Sequence, residues 1–303
     1  MRADPFFLQN TLVSLNEVQY NLQQLTSELS SGVSVTSLSS NPTAAAQDSM
    51  VANEINVDDT FTQNAATTAS MMQVTDTTLS SVISNLTQAI SVATAADNGT
   101  NNSTDESASI AELSGIQATI LGLANTSYQG VSIFAGSQAG ATAFSLDTST
   151  NPATVTYNGD SDVLSMSSPS GQSIQTAIPG DQIFGGNTTG SSANVLGVLS
   201  NLISALSTGD TAAAVTDTTA LNTSLSQVSA IQAQFDSSLN QLTSDSTYTQ
   251  TQVTQLQSAQ DTLVADNPAQ IATSLSNAET QQSALMSVMA ELEKSNNLFD
   301  YLN

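Results

Sequence analysis

Apolar residues recur every seven positions at both ends of this chain. Near the N-terminus they are Leu8, Leu15, Leu22 and Leu29, with Val18 and Leu25 between them. Near the C-terminus they are Ile271, Ala278, Leu285, Leu292 and Phe299, with Leu275 and Met289 between them. Such spacing makes a seam along one side of a helix, and the seam must be buried against another helix. Two terminal seams separated by nearly the whole chain predict a rod whose ends pair, or which pairs with copies of itself. That layout is expected of an assembly protein. A compact enzyme more often keeps its termini out of the core.

The 303 residues suffice for more than one domain. Aromatics are only 4% and there is no Trp, which argues against one large globular core. Lys plus Arg number 2 against 26 Asp plus Glu, a formal charge of −24. A phosphate backbone needs cationic partners, so nucleic acid is excluded as a partner. Anionic lipid is excluded for the same reason, and no apolar run reaches membrane-spanning length. Salt bridges cannot hold the fold, because almost no cations exist to form them. The carboxylates are expected on solvated faces.

The absence of Cys and His removes disulfides, thiol nucleophiles, His general bases and His- or Cys-ligated zinc. Met1-Arg2-Ala3-Asp4-Pro5 lacks the apolar core and cleavage site of a secretory signal. The expectation is a soluble chain. Any export would follow a route without a cleaved signal.

A first helix is expected over about 6–30, ending at Gly32, a favoured residue just past a helix end. Asn41-Pro42 opens a second, with Asn as cap and Pro in the first turn, running to about Ala96. Its later seam is Ala65, Met72, Leu79, Leu86 and Ala93, with Ala69, Ile83 and Ile90 alternating and Asp76 as the polar exception. A third helix, about 105–124, carries Ile110, Leu113, Ile120 and Ala124, with Gln117 inside the row.

From Gly130 to Gly190 the period changes and Gly, Ser and Thr rise. Thr154-Val155-Thr156-Tyr157 reads as a strand, Asn158-Gly159 as a hairpin turn, and Val163–Met166 as the return strand. Helix resumes near Ala193, breaks at Gly209-Asp210 and continues to Ala265. This last piece holds the longest seam: Leu221, Val228, Phe235, Leu242, Leu256 and Leu263, with Thr249 in the one polar place. At 1.5 Å per residue it would be about 84 Å long, and such a helix needs partners to be stable. Asp266-Asn267-Pro268 precedes the final helix.

The predicted fold is mainly α: a long helical-bundle rod with paired terminal helices and a small inserted β domain. Residues 1–40 and 266–303 are the terminal coiled-coil helices. Residues 41–130 and 191–265 form the helical rod, and 131–190 the inserted β domain.

Several segments resemble the flagellin-like family. Leu29-Ser30-Ser31-Gly32 resembles its LSSG at the end of the first helix. Asn41-Pro42-Thr43-Ala44-Ala45 resembles its D-P-x-A-A, with Asn in place of Asp. Residues 125–136 (NTSYQGVSIFAG) resemble a segment ending in F-A-G, and Tyr157-Asn158-Gly159-Asp160 a Y-x-G-D hairpin. Residues 270–302 resemble the C-terminal helix. The chain departs from the family at Val33-Ser34-Val35, where Arg or Lys is common, and at Asp4-Pro5-Phe6-Phe7. Within the family, the F-A-G and Y-x-G-D pair and the short insert favour members at the hook–filament junction over those that build the filament.

The resemblance implies an extracellular structural subunit exported through the flagellar type III route with a dedicated chaperone. It implies a ring of copies between hook and filament, beside a hook-side junction protein and the flagellin filament. The terminal helices would form the inner tube and the β insert would face outward. Filament flagellin is the alternative, and a coiled-coil surface adhesin a more distant one. The expected assembly seam is Leu8, Leu15, Leu22, Leu29, Leu275, Leu285, Met289, Leu292 and Phe299. No catalytic, cofactor-binding or metal-ligating residue is assigned, and no cofactor is expected.

Other motifs have plainer readings. Asp58-Asp59 and Asp160 with Asp162 lack a full calcium-loop pattern and are better read as solvated carboxylates or turn caps. The glycosylation patterns beginning at Asn98, Asn101 and Asn102 fit chance in an Asn/Ser/Thr-rich turn. Gln117, Gln232, Gln260 and Gln282 either specify register or are tolerated polar positions.

The charge has a testable consequence for assembly. Stacked copies concentrate negative charge, which raises carboxylate pKa values, so the assembled state binds more protons. Assembly should therefore strengthen as pH falls from about 7 toward about 4, and strengthen with salt, which screens the repulsion. Sedimentation of purified subunits over that range checks this; assembly weakening with acid would contradict it.

Overall fold

The computed structural model describes residues 5–33, 41–97, 103–138, 140, 142–186, 193–265 and 267–300. Six α-helices dominate them: α1 Pro5–Ser31, α2 Pro42–Ala96, α3 Ser103–Ala124, α4 Val195–Thr208, α5 Thr211–Val264 and α6 Pro268–Asp300. The chain is mainly α, as its periodicity predicts. Packing groups the residues into two compact units, one of 1–57 with 251–303 and one of 58–250.

The helix boundaries follow their caps. Asn41 Oδ1 accepts from Ala44 N at 3.1 Å, and Pro42 opens α2. Asn194 Oδ1 accepts from Gly197 N at 3.2 Å. Gly209, at φ 69°, closes α4, and Asp210 Oδ1 caps α5 through Ala213 N at 3.0 Å. Asn267 Oδ1 accepts from Ala269 N at 3.1 Å at the start of α6.

In the unit of 58–250, the seven-residue rows are the core. Ala65, Met72, Leu79, Leu86 and Ala93 of α2 are buried, with Leu221, Val228, Phe235 and Leu242 of α5 in the same cluster. Leu113 and Ile120 of α3 join them, and α3 packs on α4. The expected polar place at Thr249 is buried at 2% exposure. Gln117 is also buried; its Nε2 donates to Ser200 Oγ on α4 at 2.8 Å. Gln232 Nε2 crosses from α5 to Asp76 Oδ1 on α2 at 2.6 Å. These two glutamines tie helices together.

Three hairpins lie between α3 and α4: β1 Ser127–Tyr128 with β2 Val131–Ser132, β3 Phe144–Asp147 with β4 Thr154–Tyr157, and β5 Ser165–Ser167 with β6 Ser173–Gln175. The first turns through Gln129 and Gly130, at φ 51° and 83°, the pair of positive φ values that a tight two-residue hairpin requires. Phe134, Phe144 and Phe184 are fully buried and stack edge to face, with centroids 5.1 and 5.3 Å apart.

Two expectations are corrected here. Asn158-Gly159 is not a hairpin turn. β4 pairs backward with β3, Phe144 opposite Tyr157, and β5 pairs forward with β6. A tight Asn-Gly turn needs positive φ at both residues, and neither has it. Asn158 instead donates to the Ala143 and Thr142 carbonyls, at 2.9 and 3.1 Å, continuing the β3–β4 edge. Nor are all carboxylates on solvated faces: Glu28, Asp58 and Asp181 are buried. Asp58 stands one heptad before Ala65, so the α2 seam carries it inward.

The rows differ in what they contribute. Leu79 is fully buried, whereas Leu285 is half-buried. Leu79→Ala should lower unfolding stability by about 2–5 kcal/mol, transfer loss and cavity together. Leu285→Ala should cost clearly less, measured by chemical denaturation of the isolated subunit.

Candidate functional site

The unit of 1–57 and 251–303 brings the two termini together: α1 packs against α6. Gly32, at φ 70°, ends α1, and its N–H donates to the Glu28 carbonyl at 2.8 Å. Val33 then pairs with Ala265 just beyond α5. This reversal and the Asn267 cap set where each terminal helix begins or stops.

The seam residues are only partly covered. Leu15, Leu22, Leu275, Leu285 and Met289 are half-buried, as are Val18 and Leu25. Leu29 is 41% exposed, and the neighbouring Glu28 is the covered residue of that turn. The side chains of Leu8, Leu292 and Phe299 lie outside the described residues. Ile271 and Ala278 are buried, and so is Thr11, a polar residue in step with Val18 and Leu25 that apolar patterning passes over. Met72, Leu79 and Leu86 of α2 and Leu221, Val228 and Leu242 of α5 are by contrast completely buried, while Leu256 and Leu263 further along the α5 row are half-buried like the terminal seam.

Leu12, Val13 and Tyr20 of α1 and Met286 and Val288 of α6 are exposed as well. Val13, Asn16, Glu17, Tyr20 and Asn21 line an open groove along α1. Polar contacts in this unit run from amide to carboxylate. Gln260 Nε2 donates to Asp48 Oδ1 at 2.8 Å, and Gln252 Nε2 to Glu54 Oε1 at 3.5 Å. Inside α1, Gln24 Nε2 donates to Glu28 Oε1 at 3.0 Å. The side chains of Arg2 and Lys294, the chain's two cations, lie outside the described residues.

The two family-like segments of the insert meet in the unit of 58–250. The Tyr157 hydroxyl lies 2.9 Å from the Phe134 carbonyl and 2.7 Å from that of Asp160, and its single proton serves either. Asp160 accepts from Ser137 N at 2.8 Å and from the Ser137 hydroxyl. Those bonds hold its carboxyl below the usual range. Asp160 N donates to the Ala135 carbonyl at 3.2 Å. Gly136, at φ 66°, leaves no room for a Cβ against Asp160. Burial pushes the Tyr157 hydroxyl up to about 12, with Asp181 and Asp160 acting in the same direction.

Among the described residues, no group of three or more Asp or Glu is arranged to hold a metal ion. The Asn98, Asn101 and Asn102 glycosylation patterns begin outside the described residues.

Residues 7–139 match the family model of the bacterial flagellin N-terminal helical region. Over those residues the chain is similar to the flagellins. No curated protein matches it. Several solved structures share its fold. One from Vibrio parahaemolyticus, described as a flagellar hook-associated protein, has TM-score 0.64 and 20% identity, over 74% of this chain and 99% of its own. The flagellar hook associated protein-3 of Legionella pneumophila has TM-score 0.59 and 13% identity, over 71% and 98%. The flagellar junction protein FlgL of Legionella pneumophila has TM-score 0.52 and 14% identity, over 65% and 99%. At these identities the likeness is one of fold. In this chain the Phe134-Ala135-Gly136 and Tyr157-Asn158-Gly159-Asp160 segments form one hydrogen-bonded junction.

Tyr157→Phe tests that junction. Removing the hydroxyl leaves a carbonyl without its donor, and thermal unfolding should show a loss of about 1 kcal/mol. The raised pKa means that the neutral phenol is the form favoured by folding. Its contribution is complete below the ordinary value of 10.0 and is lost as pH rises toward about 12. The variant should lack that alkaline component.

Proposed function

We propose that this flagellin-like chain is a structural subunit of the bacterial flagellum that joins hook to filament. The observation that carries the reading is the pairing of α1 with α6 through seams left half-covered in a single copy. Apolar helix faces gain their stability from burial, so a half-covered seam is completed by further copies of the same pair.

On this reading Leu8, Leu15, Leu22, Leu29, Leu275, Leu285, Met289, Leu292 and Phe299 are the assembly seam of a ring of copies. Residues 1–40 and 266–303 form its pairing layer, 41–130 and 191–265 the helical rod, and 131–190 an insert facing outward. The ring's neighbours are a hook-side junction protein and the flagellin filament, and an export chaperone covers the seam before assembly. The subunit works outside the cell, and its role is mechanical rather than catalytic. The short insert and the F-A-G and Y-N-G-D junction favour the hook–filament position over the filament itself.

Deleting the gene tests the position. The expected cells carry hooks without filaments and release flagellin into the medium, as seen by electron microscopy and blotting. Cells that keep their filaments, or that lose the filament protein itself, would overturn the proposal. Complementation with Leu285→Asp tests the seam. An unpaired charge buried there is costly, so the purified variant should stay folded yet fail to restore filaments. Normal restoration would show that this seam is not an assembly surface.

A further inference from the structure

We propose that Asn158-Gly159 is a deamidation site that the closed junction of the insert protects and that opening of the junction exposes. The chain has two Asn-Gly pairs, at 98–99 and 158–159, and the second lies among the described residues. Asn-Gly cyclises more readily than other asparagine pairs, because glycine puts no side chain in the way of its own nitrogen. The fold cannot exchange this glycine for a less reactive residue. A Cβ at Gly159 would run into the Tyr157 hydroxyl and the Ala135 carbonyl. Packing of the junction therefore keeps a labile pair at an exposed asparagine.

The reaction needs only water. The Gly159 amide nitrogen gives its proton to hydroxide and attacks Asn158 Cγ. The new N–C bond forms as the Cγ–Nδ2 bond breaks, and ammonia leaves with a proton from water. Water then opens the succinimide ring at either carbonyl, giving aspartate or isoaspartate. In sum, asparagine and water become a carboxyl residue and ammonia, and nothing is oxidised or reduced.

The folded junction restrains each part that must move. Asn158 Nδ2 donates to the Thr142 carbonyl at 3.1 Å, which holds the side-chain amide on the segment before β3. Asn158 N donates to the Ala143 carbonyl at 2.9 Å and Asp160 N to that of Ala135 at 3.2 Å, fixing the main chain on both sides of Gly159. The Tyr157 hydroxyl, 2.7 Å from the Asp160 carbonyl, closes the same turn. Ring closure must break the Thr142 bond and rotate the 158–159 peptide against these restraints. The Gly159 N–H donates to no described residue, so its nitrogen is ready to react once they open.

The products keep the junction open. Both lose the Nδ2 donor. Aspartate at 158 sets a carboxylate against the Thr142 carbonyl, two acceptors with no proton between them. Isoaspartate lengthens the main chain between the fixed points at 157 and 160. Deamidation is thus an irreversible mark of junction opening. It depends on the junction alone and not on where the subunit assembles.

Peptide mapping by mass spectrometry tests the site, with the full chain incubated at mildly alkaline pH, natively and in urea. A reaction that proceeds from an opened state follows the population of that state. Asn158 should be lost at least about tenfold more slowly in the native chain than in urea. Tyr157→Phe removes one hydrogen bond of ordinary net strength. It should speed the native loss by about fivefold and leave the rate in urea unchanged. Equal rates natively and in urea would overturn the protection, a reading that needs no variant to fold. A native rate that Tyr157→Phe leaves unchanged, or an equal acceleration in urea, would overturn the junction's part in it. Asn158→Asp reproduces one product and should lower the thermal midpoint. An unchanged midpoint would overturn the lasting effect on the junction.

Discussion

The rows Ala65, Met72, Leu79 and Leu86 of α2 and Leu221, Val228, Phe235 and Leu242 of α5 are what the rest of the unit of 58–250 depends on. Both helices are otherwise rich in Ser, Thr and Asn, residues of modest helix propensity. Many of their hydroxyls fold back on their own helix, as Thr78 does to Val74 and Thr218 to Ala214, both at 2.8 Å. Such bonds satisfy the side chain but add little to the helix. What remains to hold helices of 55 and 54 residues is the burial of one narrow stripe.

A chain with 26 acidic and 2 basic side chains also needs a way to pair polar groups between helices without cations. Glutamine supplies it. Gln232 reaches Asp76, Gln260 reaches Asp48, and Gln252 reaches Glu54, in each case with an amide N–H as donor. A neutral donor to a carboxylate is charge-assisted yet leaves the net charge untouched. Polar side chains are thereby joined between helices, while the chain stays strongly acidic.

The terminal pair is built on the same seven-residue rule but covered differently. Leu79 and Leu86 are completely buried, whereas Leu15, Leu22, Leu285 and Met289 remain half-open. A stripe of equal apolar content is thus finished inside one unit and unfinished in the other. That difference motivates reading the second as a surface made for copies of itself.

The helices, their caps and their rows were legible in the sequence, because period and capping chemistry are local. Asn41-Pro42, Gly209-Asp210 and Asn267-Pro268 mark boundaries within a residue or two of those observed. The pairing of the termini was legible too, since both seams repeat at seven. The strands were not. Thr154–Tyr157 was recognisable as a strand, but its partner depends on which edge is free, and that is decided by residues far along the chain. Asn125, for example, binds both backbone groups of Phe144, at 2.9 and 2.8 Å, and presents β3 to β4. Asp58 shows the same limit. Its position on the α2 row was visible, yet only the packed helices turn a row position into burial. Period and capping chemistry dictate the local elements and the stripes that must be covered. Which partner covers each stripe, and how completely, follows from packing, because burial belongs to two surfaces and a sequence pattern describes one.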